Sequence, residues 1–192
     1  MSKQPEVVYI IRHGEKPADP KVTGVDFHGG PSEHSLLPRG WQRSGALVTL
    51  FDPGRGGLRT PDALLCPGYG HPHKNAQHRT YQTLQGLSER FGLPILPACA
   101  EGEESSLASS LMRDHEGVVL ICWDHAHIPA LATALPLAER TAIPRKWPDR
   151  RFDIVWAFSL VPGAARYSFA QIPQRLLAGD GDTVIPALRL RW

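Results

Sequence analysis

The sequence lacks a charge bias that would point to a partner. Lys plus Arg total 21 and Asp plus Glu total 19 among 192 residues. The basic residues recur singly, as at Arg12, Arg39, Arg79 and Arg113, without the basic stripe or tail of a nucleic-acid binder. Paired cysteines are also missing: Cys66, Cys99 and Cys122 are odd in number and widely spaced, with no CxxC. Cys66 and Cys122 end apolar runs and read as small buried hydrophobes, a usage that suits a reducing compartment. No apolar run approaches the roughly 20 residues needed to cross a bilayer. The run within MSKQPEVVYIIRHGE is too short for a signal peptide. Internal repeats and a low-complexity tail are absent as well. The expectation is a cytoplasmic protein with no nucleic-acid or membrane partner, folded as a single domain over residues 1–192. A chain of this length buries roughly 70% of the surface its unfolded form exposes, so staples are not required.

What is present begins with Val7-Val8-Tyr9-Ile10-Ile11, a continuous β-branched and aromatic run. Such a run reads as a strand buried on both faces. Val118 to Trp123 reads the same way, and Ala63 to Cys66 reads as a shorter strand. Pro94 to Pro97 can form another. Helices are expected over Pro38 to about Phe51, around Ala76 to Phe91 with Gly92 as its stop, over Ser105 to His115, and over Ala126 to Ala138. Pro129 is tolerable in a first turn. Residues 16–37 and 67–74 read as loops. Ile154 to Leu160 and Tyr167 to Ile172 read as a hairpin-like strand pair at one sheet edge, joined across Pro162-Gly163. Alternating strands and helices imply a mainly parallel sheet covered on both faces.

Both long strands stop at a histidine, in Arg12-His13-Gly14-Glu15 and in Asp124-His125. In open α/β sheets, ligands bind beyond the carboxyl ends of the strands. A strand-end histidine can present one imidazole nitrogen to a phosphorus atom while the other donates to a fixed acceptor. Gly14 permits a sharp turn, and Arg12 offers a planar fork of donors to phosphate oxygens. A bare RHG tripeptide is equally a strand-end turn with surface side chains. Further along, His78-Arg79-Thr80-Tyr81-Gln82-Thr83 begins a helix, and Leu37-Pro38-Arg39-Gly40-Trp41-Gln42-Arg43-Ser44-Gly45 opens another. His71, His73 and His78, or His28 and His34, suggest metal ligands. None has zinc-motif spacing with cysteines or an HExxH helix, so no metal is expected.

In order and spacing, the early RHGE, the helix start at Leu37–Gly45, the RxxxT start at Arg79 and the late strand-end histidine resemble the histidine phosphatase (phosphoglycerate mutase-like) superfamily. The resemblance runs from about Val7 to Leu135. It implies a three-layer α/β/α sandwich with a mainly parallel central sheet. It places the nucleophile at His13, the phosphate-pocket arginines at Arg12 and Arg79, and the second pocket histidine at His125. Gly14, Glu15, Lys16 and Ala126 fall where substrate would lie. Many members carry a serine shortly before the second arginine and glycines after the late histidine. Here Lys74 to His78 and Ala126-His127 stand in those places.

The implied activity is metal-independent, cofactor-free hydrolysis of phosphate monoesters through phosphohistidine, on a small phosphorylated molecule or a phosphoprotein. Arg12, Arg79 and protonated His125 would surround the phosphoryl oxygens. Better-known members draw the leaving-group proton from a glutamate in the loop that here holds Glu101, Glu103 and Glu104. Glu101, nearest the strand end, is the first choice and Asp124 an alternative. Two other functions fit the same residues: a mutase-like phosphotransferase, and a phosphate-binding module without turnover. The family's larger mutases carry longer insertions near the site, which favours hydrolysis for a chain of this length.

Overall fold

The computed structural model describes residues 4–54, 57–139 and 143–187. Its elements in chain order are β1 (Val7–Arg12), β2 (Gly24–Val25), β3 (Pro31–Ser32), α1 (Pro38–Phe51), β4 (Ala63–Cys66), α2 (Pro72–Ala76), α3 (Arg79–Phe91), β5 (Ile95–Pro97), α4 (Glu104–Asp114), β6 (Val118–Trp123), α5 (Ile128–Ala134), β7 (Ile154–Leu160) and β8 (Tyr167–Pro173).

Six strands form one mixed, mostly parallel sheet in the order β5-β4-β6-β1-β7-β8. β5, β4, β6 and β1 run parallel, and β7 and β8 add an antiparallel pair beside β1. Every residue of β1 and of β6 is buried, which explains their unbroken apolar runs. Their side chains alternate between two apolar clusters, as a period of two demands. Val7, Tyr9 and Ile11 join Leu47 and Phe51 of α1 and Leu84 and Leu87 of α3. Val8 and Ile10 join Leu107 and Leu111 of α4, Ile128 and Leu131 of α5, and Trp123, Trp147 and Trp156. No described helix is long and apolar enough to cross a membrane.

Helix α1 and strands β4, β6 and β7 coincide with the expected spans. α3 ends where expected, at Gly92, which adopts the left-handed conformation with φ 66°. Three expectations change. The stretch expected to be loop before Ala76 contains a short helix, α2, and α3 begins only at Arg79, after His78 breaks to an extended conformation as its N-cap. Helix α5 stops at Ala134 instead of Ala138, because Leu135 precedes Pro136 and is held extended. The Pro136 carbonyl and Ala138 amide then bond to Tyr167 at the start of β8. Residues 16–37, expected to be wholly loop, contain the short antiparallel pair β2–β3.

Candidate active site

In the β1–β6 register Arg12 lies opposite Trp123. The next residues of each strand, His13 and Asp124, therefore emerge side by side at the carboxyl edge of the sheet. The loops after β4 and β5 leave from the same edge and carry Tyr69 and Glu101. A cavity of about 220 Å³ opens there, lined by His13, His34, Tyr69, His78, Arg79, Thr80, Glu101 and Asp124. Arg79 and Thr80 open α3, so the positive end of that helix dipole also faces the cavity.

His13 is 3% exposed. Its Nδ1 lies 2.7 Å from the Gly14 carbonyl. A carbonyl only accepts, so Nδ1 carries the proton and Nε2 keeps its lone pair. Nε2 lies 3.8 Å from Asp124 Oδ2. Burial, with help from the Arg12 charge, pulls the His13 pKa below its usual value, although its hydrogen bonds oppose the shift. Burial alone would push Asp124 up. The adjacent His13 ring, a hydrogen bond from the Ala126 amide and the His125 imidazole hold its carboxyl below the usual range.

The His13 turn is fixed from outside β1. The Gly14 amide donates to Thr83 Oγ1 at 2.8 Å, and that hydroxyl donates to the Arg79 carbonyl at 2.6 Å. A Cβ on Gly14 would lie 2.9 Å from the Gly40 carbonyl oxygen. The glycine thus permits the turn to rest directly on the start of α1.

Both arginines are oriented by backbone carbonyls. Arg12 Nη1 donates to the carbonyls of Pro148, Asp149 and Arg151 at 3.3, 2.6 and 3.2 Å. Its guanidinium sits 4.0 Å from the centre of the Phe152 ring. Burial lowers its pKa to about 10, which leaves it charged at neutral pH. Arg12 Nε is buried without a hydrogen-bond partner. Arg79 donates to the carbonyls of Ser35 and Glu33, which leaves Nη1 unpaired among the described residues. His125 meets the His13 ring edge-on at 6.5 Å. It lies between Asp124 (Nδ1 to Oδ2, 3.4 Å) and Asp149 (Nε2 to Oδ1, 3.3 Å). Nδ1 of His125 is buried and lacks a hydrogen bond.

Of the expected site residues, His13, Arg79 and Glu101 line the cavity, while Arg12 and His125 adjoin His13 without lining it. Among the three loop glutamates only Glu101 reaches the cavity, where it accepts the Tyr69 hydroxyl at 2.9 Å. Glu103 turns back to the Ala100 amide. Glu104 is buried and accepts from Gly102 N and Trp123 Nε1, with His127 Nδ1 3.1 Å away. Four residues expected at the substrate do not line the cavity. The Gly14 amide is committed to Thr83, and the Ala126 amide to Asp124 Oδ1. Glu15 is buried in hydrogen bonds with Arg39 and Arg43, the latter also bound to Asp180. Lys16 is half-buried.

Sequence reasoning missed Tyr69, His78, His34 and Thr80 as cavity residues. Tyr69 stacks on His78 at 3.7 Å, and His34 lies 5.8 Å from His78. The clue was the concentration of histidine in two loops of no regular pattern. For metals, the side chain of His73 lies outside those described. Among the described residues the group able to hold an ion is His13, Asp124 and His125. No protein-family model matches the chain, and no curated protein matches it.

Proposed function

We propose that the chain is a phosphatase of the histidine phosphatase type, an α/β/α sandwich that hydrolyses phosphate monoesters through phosphohistidine at His13. The observation that carries this is the His13 ring itself. It is buried, locked by Gly14 in the tautomer with a free Nε2 lone pair, and set in a cavity with Arg79. A packing histidine has no need of an arginine and a helix N-terminus facing the same space. Dianion recognition uses both.

In this scheme the Nε2 lone pair attacks phosphorus in line and the P–O ester bond breaks. Glu101 gives its proton to the leaving alkoxide. Water then gives a proton back to Glu101 and attacks phosphorus, and the P–N bond breaks to restore His13. Arg79 and the start of α3 stabilise the equatorial oxygens. Arg12 Nε and His125 Nδ1, both buried and unpartnered, supply donors once the phosphoryl group is in place. A small phosphorylated molecule, or a phosphorylated side chain, suits a cavity of about 220 Å³. Three free cysteines favour a cytoplasmic setting.

The test is a denaturing quench during turnover. The wild type should yield an acid-labile, base-stable phosphoenzyme, and His13→Ala should yield none and release no phosphate while keeping its circular dichroism spectrum. Equal turnover by the variant removes the nucleophile.

A further inference from the structure

The groups that surround the His13 lone pair also form a set of metal ligands. His13 Nε2 lies 3.8 Å from Asp124 Oδ2, and His125 Nδ1 lies 3.4 Å from that same oxygen. One ligand atom from each of the three residues lies within 4.8 Å of the others. A tetrahedral Zn²⁺ with bonds of about 2.0–2.2 Å holds its ligands roughly 3.4 Å apart. The two pairs that share Asp124 Oδ2 stand at or near that spacing, so a contraction of the trio closes it on an ion.

The outer nitrogens strengthen the case. Metal-bound histidines almost always donate their second ring N–H to a carbonyl or carboxylate, which fixes the tautomer and aims the other lone pair. His13 Nδ1 does so to the Gly14 carbonyl at 2.7 Å, and His125 Nε2 faces Asp149 Oδ1 at 3.3 Å. When a metal displaces the His125 Nδ1 proton, both lone pairs fall on the Asp124 side. His125 Nδ1 is buried without a hydrogen bond, so no protein group competes for it. Two imidazoles and one carboxylate form the three-ligand pattern of an open zinc site, and they disfavour Mg²⁺ and Ca²⁺, which take oxygen ligands.

We infer that His13, Asp124 and His125 bind one Zn²⁺-class cation, and that this binding switches the enzyme off. The inhibitory half rests on the phosphatase function proposed above. A metal on Nε2 takes the lone pair that attacks phosphorus, so the metal-bound form cannot make phosphohistidine. The metal is then an inhibitor whose removal restores turnover.

The experiment uses the full chain, stripped with chelator and dialysed. Calorimetric titration with Zn²⁺ should show one tight site, and Co²⁺ should give the visible bands of a nitrogen- and oxygen-ligated tetrahedral ion. Asp124→Asn and His125→Gln should each weaken Zn²⁺ by at least about a hundredfold, since losing an outer-shell partner alone costs about 10–100-fold. Asp149→Asn should fall in that lesser range, and His71→Gln, an exposed histidine outside the trio, should bind as the wild type does. Zn²⁺ should abolish p-nitrophenyl phosphate turnover at one equivalent, and excess chelator should restore it. Zn²⁺ bound equally well by the wild type, Asp124→Asn and His125→Gln overturns the site. Tight binding at the trio without loss of turnover overturns the switch. Binding lost in both variants, in a protein that turns over no phosphate ester and forms no phosphoenzyme, supports the metal site and removes the phosphatase proposal instead.

Discussion

Thr83→Val exchanges a hydroxyl for a methyl group of nearly the same shape at a fully buried position. The hydroxyl accepts the Gly14 amide at 2.8 Å and donates to the Arg79 carbonyl at 2.6 Å. Valine does neither. The Gly14 amide sits in a buried turn with its Cα face against Gly40, so the structure offers it no replacement acceptor. A buried donor left unsatisfied costs about 1–3 kcal/mol. For a chain of this size each kcal/mol moves the melting temperature by about 2–4 °C. Differential scanning calorimetry should therefore show a fall of about 2–12 °C. Thr83→Ser, which keeps the hydroxyl, should recover most of it. Turnover should fall through kcat more than through KM, because the Gly14 carbonyl orients the His13 ring. A valine variant as stable as the wild type, or a serine variant as damaged as the valine one, refutes this account of the turn.

Arg79→Ala should lower kcat by roughly a hundred- to thousandfold, the cost of losing one preorganised donor to developing charge. Arg113→Ala, whose exposed side chain pairs with neighbouring Asp114, should leave kcat unchanged, and comparable losses in both would contradict the cavity assignment. Glu101→Gln should slow an alkyl phosphate by on the order of 10²–10⁴ while sparing p-nitrophenyl phosphate, whose phenolate leaves without a proton. Equal slowing of both substrates, or the same selectivity in Asp124→Asn, takes the acid role from Glu101. Acid stability should depend on Asp180. Burial would raise its pKa, but Arg43 and the Leu176 and Leu177 amides hold it below the usual value. Its stabilising share is then complete above the unfolded carboxylate pKa of about 3.9 and disappears as pH falls through the lower folded value. Denaturant titrations from pH 5 downward should be flatter for Asp180→Asn than for the wild type.

The parallel half of the sheet was legible because its strands are buried on both faces and leave continuous apolar runs. Val7 to Ile11 and Val118 to Trp123 could hardly be anything else. That the two are neighbours was not legible, since strand order depends on long-range packing, yet this adjacency puts Asp124 beside His13. The RxxxT pattern was legible as a pattern only. Its threonine turns out to hold the His13–Gly14 turn, and Gln82 between them fixes the Leu36 amide and the Ser35 hydroxyl. The environment of Arg12 left no local signal. Its carbonyl acceptors come from residues 148 to 151, more than 130 positions away, and backbone carbonyls carry no sequence signature. The turn of Glu15 away from the cavity was not legible for a related reason: its partners Arg39 and Arg43 are spaced one helical turn apart, but nothing in RHGE says which way the glutamate points.

A carboxylate beside His13, the proposed nucleophile, is the feature of this site that most needs a physical account. At 4 Å and an effective dielectric constant near 20, two like charges repel by about 4 kcal/mol. For each charge on a phosphate, that repulsion would weaken binding by roughly a thousandfold if Asp124 stood alone. It does not stand alone. Oδ1 accepts the Ala126 amide, and Oδ2 lies between two imidazole nitrogens. The amide donor offsets part of that charge. Arg79, Arg12 and the N-terminus of α3 add positive potential at the same sheet edge. Under the two proposals, a cation held among His13, Asp124 and His125 takes the Nε2 lone pair that phosphoryl transfer needs, so phosphate chemistry and zinc binding would exclude each other.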